Sequence, residues 1–335
     1  MNIAGNNSVT HLVIGDEQAG QRLDNFLIRH CKGVPKSHLY RILRSGEVRV
    51  NSGRVDATYR VASGDRVRIP PIRLAERAFD AVQAVAKERV DLPILFEDDA
   101  LLAIDKPDGV AVHGGSGVSF GVIEALRQQR PQAKFLELAH RLDRETSGLL
   151  LVGKKRLALT ILHDMFREHG QGADKRYLVL VRGRWMNLTQ HVRLPLFKFL
   201  TDGGERRVMV RDDGKAAHTV FRLMARWPEA SLLEAQLKTG RTHQIRVHLG
   251  HLGFPILGDE KYGDYQFNRT VHKAGLKRMA LHAWHMAFRH PLSGEQLFLR
   301  APVPQSLRSH IGFLLGSGTT EFAIDHLERI LVDGL

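Results

Sequence analysis

Residues 140–154 read HRLDRETSGLLLVGK, which sets one carboxylate, Asp143, between two arginines, Arg141 and Arg144. Thr146, Ser147 and Gly148 follow, then a continuous apolar run from Leu149 to Val152 of the kind that forms a buried strand. The spacing predicts Asp143 on a loop held by the start of a core strand, and such loops are where a scaffold carries its chemistry. Neighbouring cations favour the ionised form of a carboxyl group. That suits a nucleophile or an electrostatic partner better than a general acid. Taken alone, an R-x-D-R cluster also reads as a solvated ion-pair network.

Two further segments carry candidate groups. Lys175-Arg176-Tyr177 opens a strand, KRYLVLVRG, where a tyrosine is either half-buried packing or a ring face for a ligand. Residues 239–253, TGRTHQIRVHLGHLG, hold two competing periods. Ile245, Val247 and Leu249 alternate as in a strand, whereas Ile245, Leu249 and Leu252 are spaced as on a helix. Thr242 as a cap and Gly253 as a stop predict the helix. His243, His248 and His251 do not have the i, i+4 spacing of helical metal ligands, and in a chain with 18 histidines such near-clusters arise by chance. No metal is expected. The glycine-rich KPDGVAVHGGSG lacks a P-loop lysine and a dinucleotide fingerprint, and Ser116 does not sit in G-x-S-x-G. It reads as a substrate-side turn.

Elements to position these groups are legible around them. FGVIEALRQQ predicts a helix, with Val122, Ile123 and Leu126 inward. KRLALTILHDMFREHG predicts an amphipathic helix with Leu157, Ile161 and Met165 as its apolar stripe and Gly170 as its end. Strands are expected at Ile94–Phe96 and Leu101–Ile104. Nearer the N-terminus, RLDNFLIRH puts Leu23, Phe26 and Leu27 on one helical face. Ser37 can cap a second helix, SHLYRILRS, that turns Leu39, Ile42 and Leu43 inward and ends at Gly46. His38, Arg41 and Arg44 then recur every third residue along its outside, with Lys36 just ahead of them. Short strands follow at Val48–Val50 and Val67–Ile69, with the turn Asn51-Ser52-Gly53 between them.

The formal net charge is +13 over 335 residues, which points to a polyanionic partner. Hydrophobic residues make up 43% of the chain, enough for a real core. No apolar run approaches a membrane span, and the start lacks the basic head and apolar segment of a signal peptide. A cytoplasmic protein with no membrane partner is expected. The single cysteine, Cys31, reads as a small packing residue.

The string H-R-L-D-x-x-T-S-G resembles the signature loop of pseudouridine synthases of the RluA type, and every fixed position is present. K-P-x-G-x-x-V-H-x-G from Lys106, G-D-x-x-Y-G-D from Gly258, LHAWHMAFRHPLSGE from Leu281 and APVP at Ala301 track the same family. The stretch from R-L-D-x-F-L at Arg22 to G-x-V-x-V-N at Gly46 resembles the S4 RNA-binding domain. The resemblance implies an α/β fold of mixed α+β character, with a mostly antiparallel sheet and a central cleft, preceded by a small S4-like domain. It divides the chain into a flexible tail (1–20), the S4-like domain (21–79), a linker with some helix (80–90), the catalytic domain (91–316) and a C-terminal extension (317–335). Within that extension, EFAIDHLERILVDG reads as a short amphipathic helix.

The resemblance also implies roles. Asp143 is the catalytic group, Tyr177 stacks against the uracil, and Arg246 pairs with the carboxylate. Ile245 packs beside the target ring. Arg141 can fill the gap that a flipped base leaves in its stack. Arg241 and His243 match fixed positions with RNA or structural roles and, with His140, are assigned to substrate binding. Lys36, His38, Arg41 and Arg44 contact RNA. The reaction implied is isomerisation of uridine to pseudouridine, with no cofactor, through attack on the sugar, attack on the base, or elimination to a glycal. H-G-G-S-G-x-S-F-G and G-E-R-x-V turn the resemblance toward 23S ribosomal RNA or a pre-50S particle, acted on by a monomer. The same chemistry on tRNA, or a non-catalytic assembly factor that binds RNA, are the alternatives.

Overall fold

The computed structural model describes residues 8–31, 34, 36–72, 90–114, 120–167, 172–316 and 321–322. Residues 1–7 of the expected tail, the expected linker helix, the glycines at 115 and 117, Gly170 and the C-terminal helix from residue 323 lie outside them. The chain divides into two compact units, one up to Arg89 and one from Val90.

The first unit has the helices α1 (Leu23–His30) and α2 (Lys36–Arg44) and the strands β1 (Thr10–Val13), β2 (Arg49–Val50) and β3 (Arg66–Ile69). The strands form an antiparallel sheet in the order β1-β3-β2. The expected inward faces are the ones buried: Leu23, Phe26 and Leu27 from α1, and Leu39, Ile42 and Leu43 from α2. Two expectations change. Thr10–Val13, assigned to the tail, pairs with β3 along its whole length. Ser37 lies inside the first turn of α2 rather than capping it, because the helix starts one residue earlier. Gly46, at φ +75°, ends that helix as expected. Asn51 and Ser52 both take positive φ in the turn after β2.

The second unit follows with β4 (Ile94–Glu97), β5 (Leu101–Lys106), α3 (Val122–Gln129), β6 (Glu137–Leu138), β7 (Ser147–Gly153), α4 (Arg156–Arg167), β8 (Ala173–Arg182) and β9 (Thr189–Val192). Then come β10 (Leu196–Leu200), β11 (Arg206–Val210), β12 (Thr219–Arg226), β13 (Ala230–Leu237), α5 (Gln244–His251), α6 (Tyr265–Lys273), β14 (Leu281–Arg289), β15 (Gln296–Arg300), α7 (Gln305–Gly316) and β16 (Glu321–Phe322). Its main sheet has 11 strands, with the path β16-β12-β13-β8-β14-β7-β5-β4, and β15, β6 and β9 as side strands. Among the described residues only β14 and β7 run parallel. The second unit is therefore the mixed α/β, mostly antiparallel fold. Strands β10 and β11 form a separate hairpin.

Strand β7 is buried over its entire length, which is why its sequence does not alternate. Each of its Leu and Val side chains contributes roughly 1.5–3 kcal/mol by leaving water. Gly148 meets a steric demand: a Cβ there would lie 2.2 Å from the Ala283 carbonyl oxygen, so only glycine lets β14 run beside β7. In α4 the stripe differs from expectation. Ala158, Leu159 and Leu162 face the core, while Leu157 is 64% exposed. Both sets recur at helical spacing, and packing against β7 selected the one with the smaller alanine. Glu321-Phe322, read as the start of a helix, pairs instead with Ala225 and Arg226.

Candidate active site

Asp143 sits in the turn that leads into β7. The Thr146 amide donates to the Asp143 carbonyl oxygen at 3.1 Å and closes that turn. From the other side, the Lys106 ammonium donates to the carbonyl oxygens of Pro107, Val110 and Arg144 at 2.7, 2.7 and 3.1 Å, which ties the Asp143 loop to the end of β5. Burial pushes the Lys106 pKa down to about 8. Ser147 is gripped as well. Arg278 donates to its hydroxyl at 2.7 Å and to Asp108 at 2.8 Å. The same hydroxyl lies 2.8 Å from His282 Nδ1. His282 Nε2 faces the Ala301 carbonyl, so Nδ1 is the acceptor, and burial holds this imidazole neutral with a pKa of about 3.

The partner of Asp143 comes from α5. The expected helix is there, but its cap is His243 in the left-handed conformation, not Thr242. Gln244 supplies the local bonding: its carbonyl oxygen accepts from the Arg241 amide at 3.0 Å and the Thr239 hydroxyl at 2.7 Å. One turn into the helix, Arg246 is 4% exposed. Its Nη1 donates to Asp143 Oδ2 at 3.1 Å, and its Nε and Nη2 donate to the two oxygens of Asp259 at 2.8 Å each. Burial alone would lower the Arg246 pKa, but Asp259 and Asp143 reverse it and the net displacement is upward. Asp259 is held low by Arg246 and by the amides of Lys261 and Tyr262, against the upward push of its burial. Neither flanking arginine bonds the Asp143 carboxylate; Arg246, the expected partner, does. Arg144 bonds Glu145 at 3.2 Å, and Arg141 stands exposed.

Oxygen Oδ1 of Asp143 accepts no hydrogen bond among the described residues; His243 Nε2 lies 3.9 Å from it. Tyr262 fixes that ring. Its hydroxyl accepts from the Val208 amide at 3.0 Å and therefore donates to His243 Nδ1 at 2.7 Å. Burial lowers the His243 pKa, and Asp143 partly offsets this.

Asp143 opens onto a cavity of about 560 Å³, lined also by Tyr177, Ile245, Arg141, Arg241, His243 and His140. Tyr177 and Ile245 are 7% and 4% exposed. Burial, then the charge of Asp143, pushes the Tyr177 hydroxyl pKa up. Arg241 donates to the Ala216 carbonyl at 3.1 Å. His140 reaches the cavity wall but is engaged: its Nε2 accepts from the Leu151 amide at 3.1 Å and its ring packs edge-on against Phe166. Burial and then the Lys175 charge push its pKa down to about 3. On α2, His38 lies 3.5 Å from Arg41, which also bonds Glu47 at 3.3 Å, and Arg44 bonds the Tyr40 carbonyl. The Lys36 side chain lies outside the described residues. His248 bonds the Thr219 hydroxyl and the Leu194 carbonyl, and no group of three potential metal ligands occurs among the described residues.

Sequence reasoning passed over Asp259 and Tyr262, although both stand in the quoted G-D-x-x-Y-G-D. The signal was a buried arginine, which needs more than one acceptor.

A model of the RNA pseudouridylate synthase family matches residues 100–251, and a model of the S4 domain matches residues 21–67. The chain belongs to the RNA pseudouridylate synthase family. It is 49% identical over 311 residues to ribosomal large subunit pseudouridine synthase C of Pasteurella multocida, covering 92% of this chain and 95% of that one. It is 50% identical over 305 residues to the protein of that name from Escherichia coli K12, covering 90% and 95%. Two human structures share the fold. RNA pseudouridylate synthase domain containing 4 covers 72% of this chain and 97% of its own, with a TM-score of 0.55 at 23% identity. Domain containing 1 covers 74% and 96%, with a TM-score of 0.57 at 22% identity.

Proposed function

We propose that this protein converts specific uridines to pseudouridine in the 23S RNA of the large ribosomal subunit, with Asp143 as the catalytic carboxylate. The observation that carries the reading is the half-free carboxylate. Oδ2 is held by a buried guanidinium, and Oδ1 opens onto a cavity with a tyrosine face and an isoleucine wall. The names of the relatives supply the substrate class.

The target base leaves its stack at a cost of a few kcal/mol. Arg141, exposed at the mouth, is the planar cation that fills the gap. Tyr177 and Ile245 hold the extruded uracil. The N-glycosidic bond breaks, the uracil turns, and C5 bonds to C1′ beside Asp143. Arg246, itself held by Asp259, keeps the Asp143 carboxylate aimed without moving during the reaction. His243 turns its Nε2 toward Oδ1. His140 supports the loop from behind. Around the mouth, Lys198 feels Arg141, Lys215, Arg241 and Arg206, a set of cations suited to the phosphates of a large RNA. Arg41 and Arg44 on α2 supply further cations of the same kind, with Lys36 and His38 as the other proposed RNA contacts of that helix. The protein acts in the cytoplasm as a monomer, on free RNA or on a precursor particle. No helix among the described residues is long and apolar enough to cross a membrane.

The test is Asp143→Asn, which keeps shape and removes the anion. Pseudouridine formation on large-subunit RNA is expected to vanish while RNA affinity stays within a few-fold. Turnover by this variant on RNA that the unaltered protein modifies sinks the assignment of Asp143. Mapping pseudouridine in cells lacking the protein checks the substrate, and losses confined to tRNA would overturn the ribosomal reading.

A further inference from the structure

Strand β8 carries four consecutive polar residues before its apolar run, Asp174, Lys175, Arg176 and Tyr177. Strand alternation sends them to two faces. On one face Arg176 is bound to Asp174 at 2.7 Å and to Glu234 at 3.2 Å, and Arg222 joins Glu234 at 3.0 Å. Every charge there has a partner. On the other face are Tyr177 and Lys175, and both line the cavity of Asp143.

Lys175 stands apart from the rest of the strand. Its ammonium has no ion pair and no hydrogen bond among the described residues. Its close neighbour is the Phe166 ring, whose centroid lies 4.4 Å from Nζ. Burial is the sole cause that lowers its pKa, to about 8. The other charged lining residues of the cavity are Arg141, Arg167, Arg241, Arg246 and the single carboxylate Asp143. Arg246 already holds that carboxylate. Arg141 and Arg167 are exposed, and Arg241 donates to the Ala216 carbonyl. Lys175 is a half-buried cation with no hydrogen-bond partner among the described residues, on the wall shared with the tyrosine, where a charge is screened less than in open water.

We infer that Lys175 is a further catalytic residue, whose ammonium receives the negative charge that the uracil acquires when its N-glycosidic bond breaks. This rests on the uridine reading above. When N1–C1′ breaks, the electron pair stays on the uracil and spreads from N1 to the carbonyl oxygens. Lys175 donates a hydrogen bond to that anion and keeps its own proton. The pair returns when C5 bonds to C1′. The proton then lost from C5 is matched by one gained at N1 through solvent, so the overall change is an isomerisation. A fixed cation aimed at charge that exists only past the ground state speeds the chemical step rather than tightening binding.

The experiment compares Lys175→Met, Lys175→Gln and Lys175→Arg with the unaltered protein in single-turnover reactions at saturating large-subunit RNA. Both neutral variants are expected to lose about 10²–10³-fold in rate, the cost of removing one preorganised charge-stabilising group. Their RNA affinity is expected to stay within threefold. Lys175→Arg restores at least a tenth of the rate. Lys175→Met melts no lower than the unaltered protein, because it removes a half-buried charge that has no partner among the described residues. A neutral variant within threefold of the original rate overturns the inference. So does a loss that falls on affinity with the rate intact, since the lysine then serves a phosphate. Asp143→Asn runs alongside: turnover there fails the uridine-site reading, whereas an inert Asp143→Asn beside an active Lys175→Gln fails this inference alone.

Discussion

The tripeptide Arg-Leu-Asp occurs in both units, as Arg22-Leu23-Asp24 and as Arg141-Leu142-Asp143. In the first unit the arginine bonds its own aspartate through two nitrogens, at 3.1 and 2.7 Å. Asp24 is completed by the Asn25 amide at 2.8 Å and the Tyr40 hydroxyl at 3.0 Å, and it is 4% exposed. Its bonding capacity is taken up in joining α1 to α2. In the second unit Arg141 turns away. Asp143 takes one bond from a buried arginine and leaves its second oxygen toward a cavity. The same three residues thus make a structural brace in one place and, in the proposed function, the reactive carboxylate in the other. What separates them is how many donors the surrounding fold brings to each carboxylate.

The contrast breaks first at Arg246. Arg246→Ala leaves Asp259, 1% exposed, as an unpaired buried anion, an injury that typically costs about 3–5 kcal/mol. Activity is expected to fall by orders of magnitude and the denaturant midpoint to drop. Full turnover would mean that Asp143 is held by something else.

Asp24→Asn gives the smaller and opposite result. It is expected to lose about 1–3 kcal/mol of stability with no change in the single-turnover rate. The pH dependence has a definite sign. Burial pushes the Asp24 carboxyl up, but Arg22, Tyr40 and the Asn25 amide outweigh it and hold the pKa below the ordinary 3.8. Its contribution is therefore complete above the unfolded value and lost as pH falls through the folded one. Denaturation of the two proteins at pH 7 and near pH 2 checks this, and an equal gap at both refutes it.

The smallest effect belongs to the exposed cations of α2. Neutralising Arg41 and Arg44 together is expected to flatten the log–log salt dependence of RNA binding by about 0.7–0.9 for each phosphate that the protein no longer neutralises. The chemical step at saturating RNA stays unchanged. An unaltered salt slope would reduce this face to solvated surface.

Most of the local structure could be read along the chain. The apolar run of β7 announced a fully buried strand. Helix α5 won over its strand-like alternation because a stop signal stood at the right distance. The inward residues of α1 and α2 followed from spacing alone. Each of these depends on interactions within a few residues, where periodicity and turn chemistry act directly.

Pairings between distant segments were legible only where a resemblance supplied them. The flanking arginines were the nearest cations to Asp143 in sequence, yet its partner lies 103 residues further on. The buried stripe of α4 could not be chosen between two sets of equal spacing until β7 lay beneath it. Nothing in the residues around Asp259, Tyr262 or Lys175 marked what each would face. Sequence by itself determined the elements, the family and the loop that presents Asp143. Only the tertiary structure decided which charges are paired and which are left open, because pairing depends on which chain segments the packed sheet brings within about 3 Å, a distance that residue spacing does not encode.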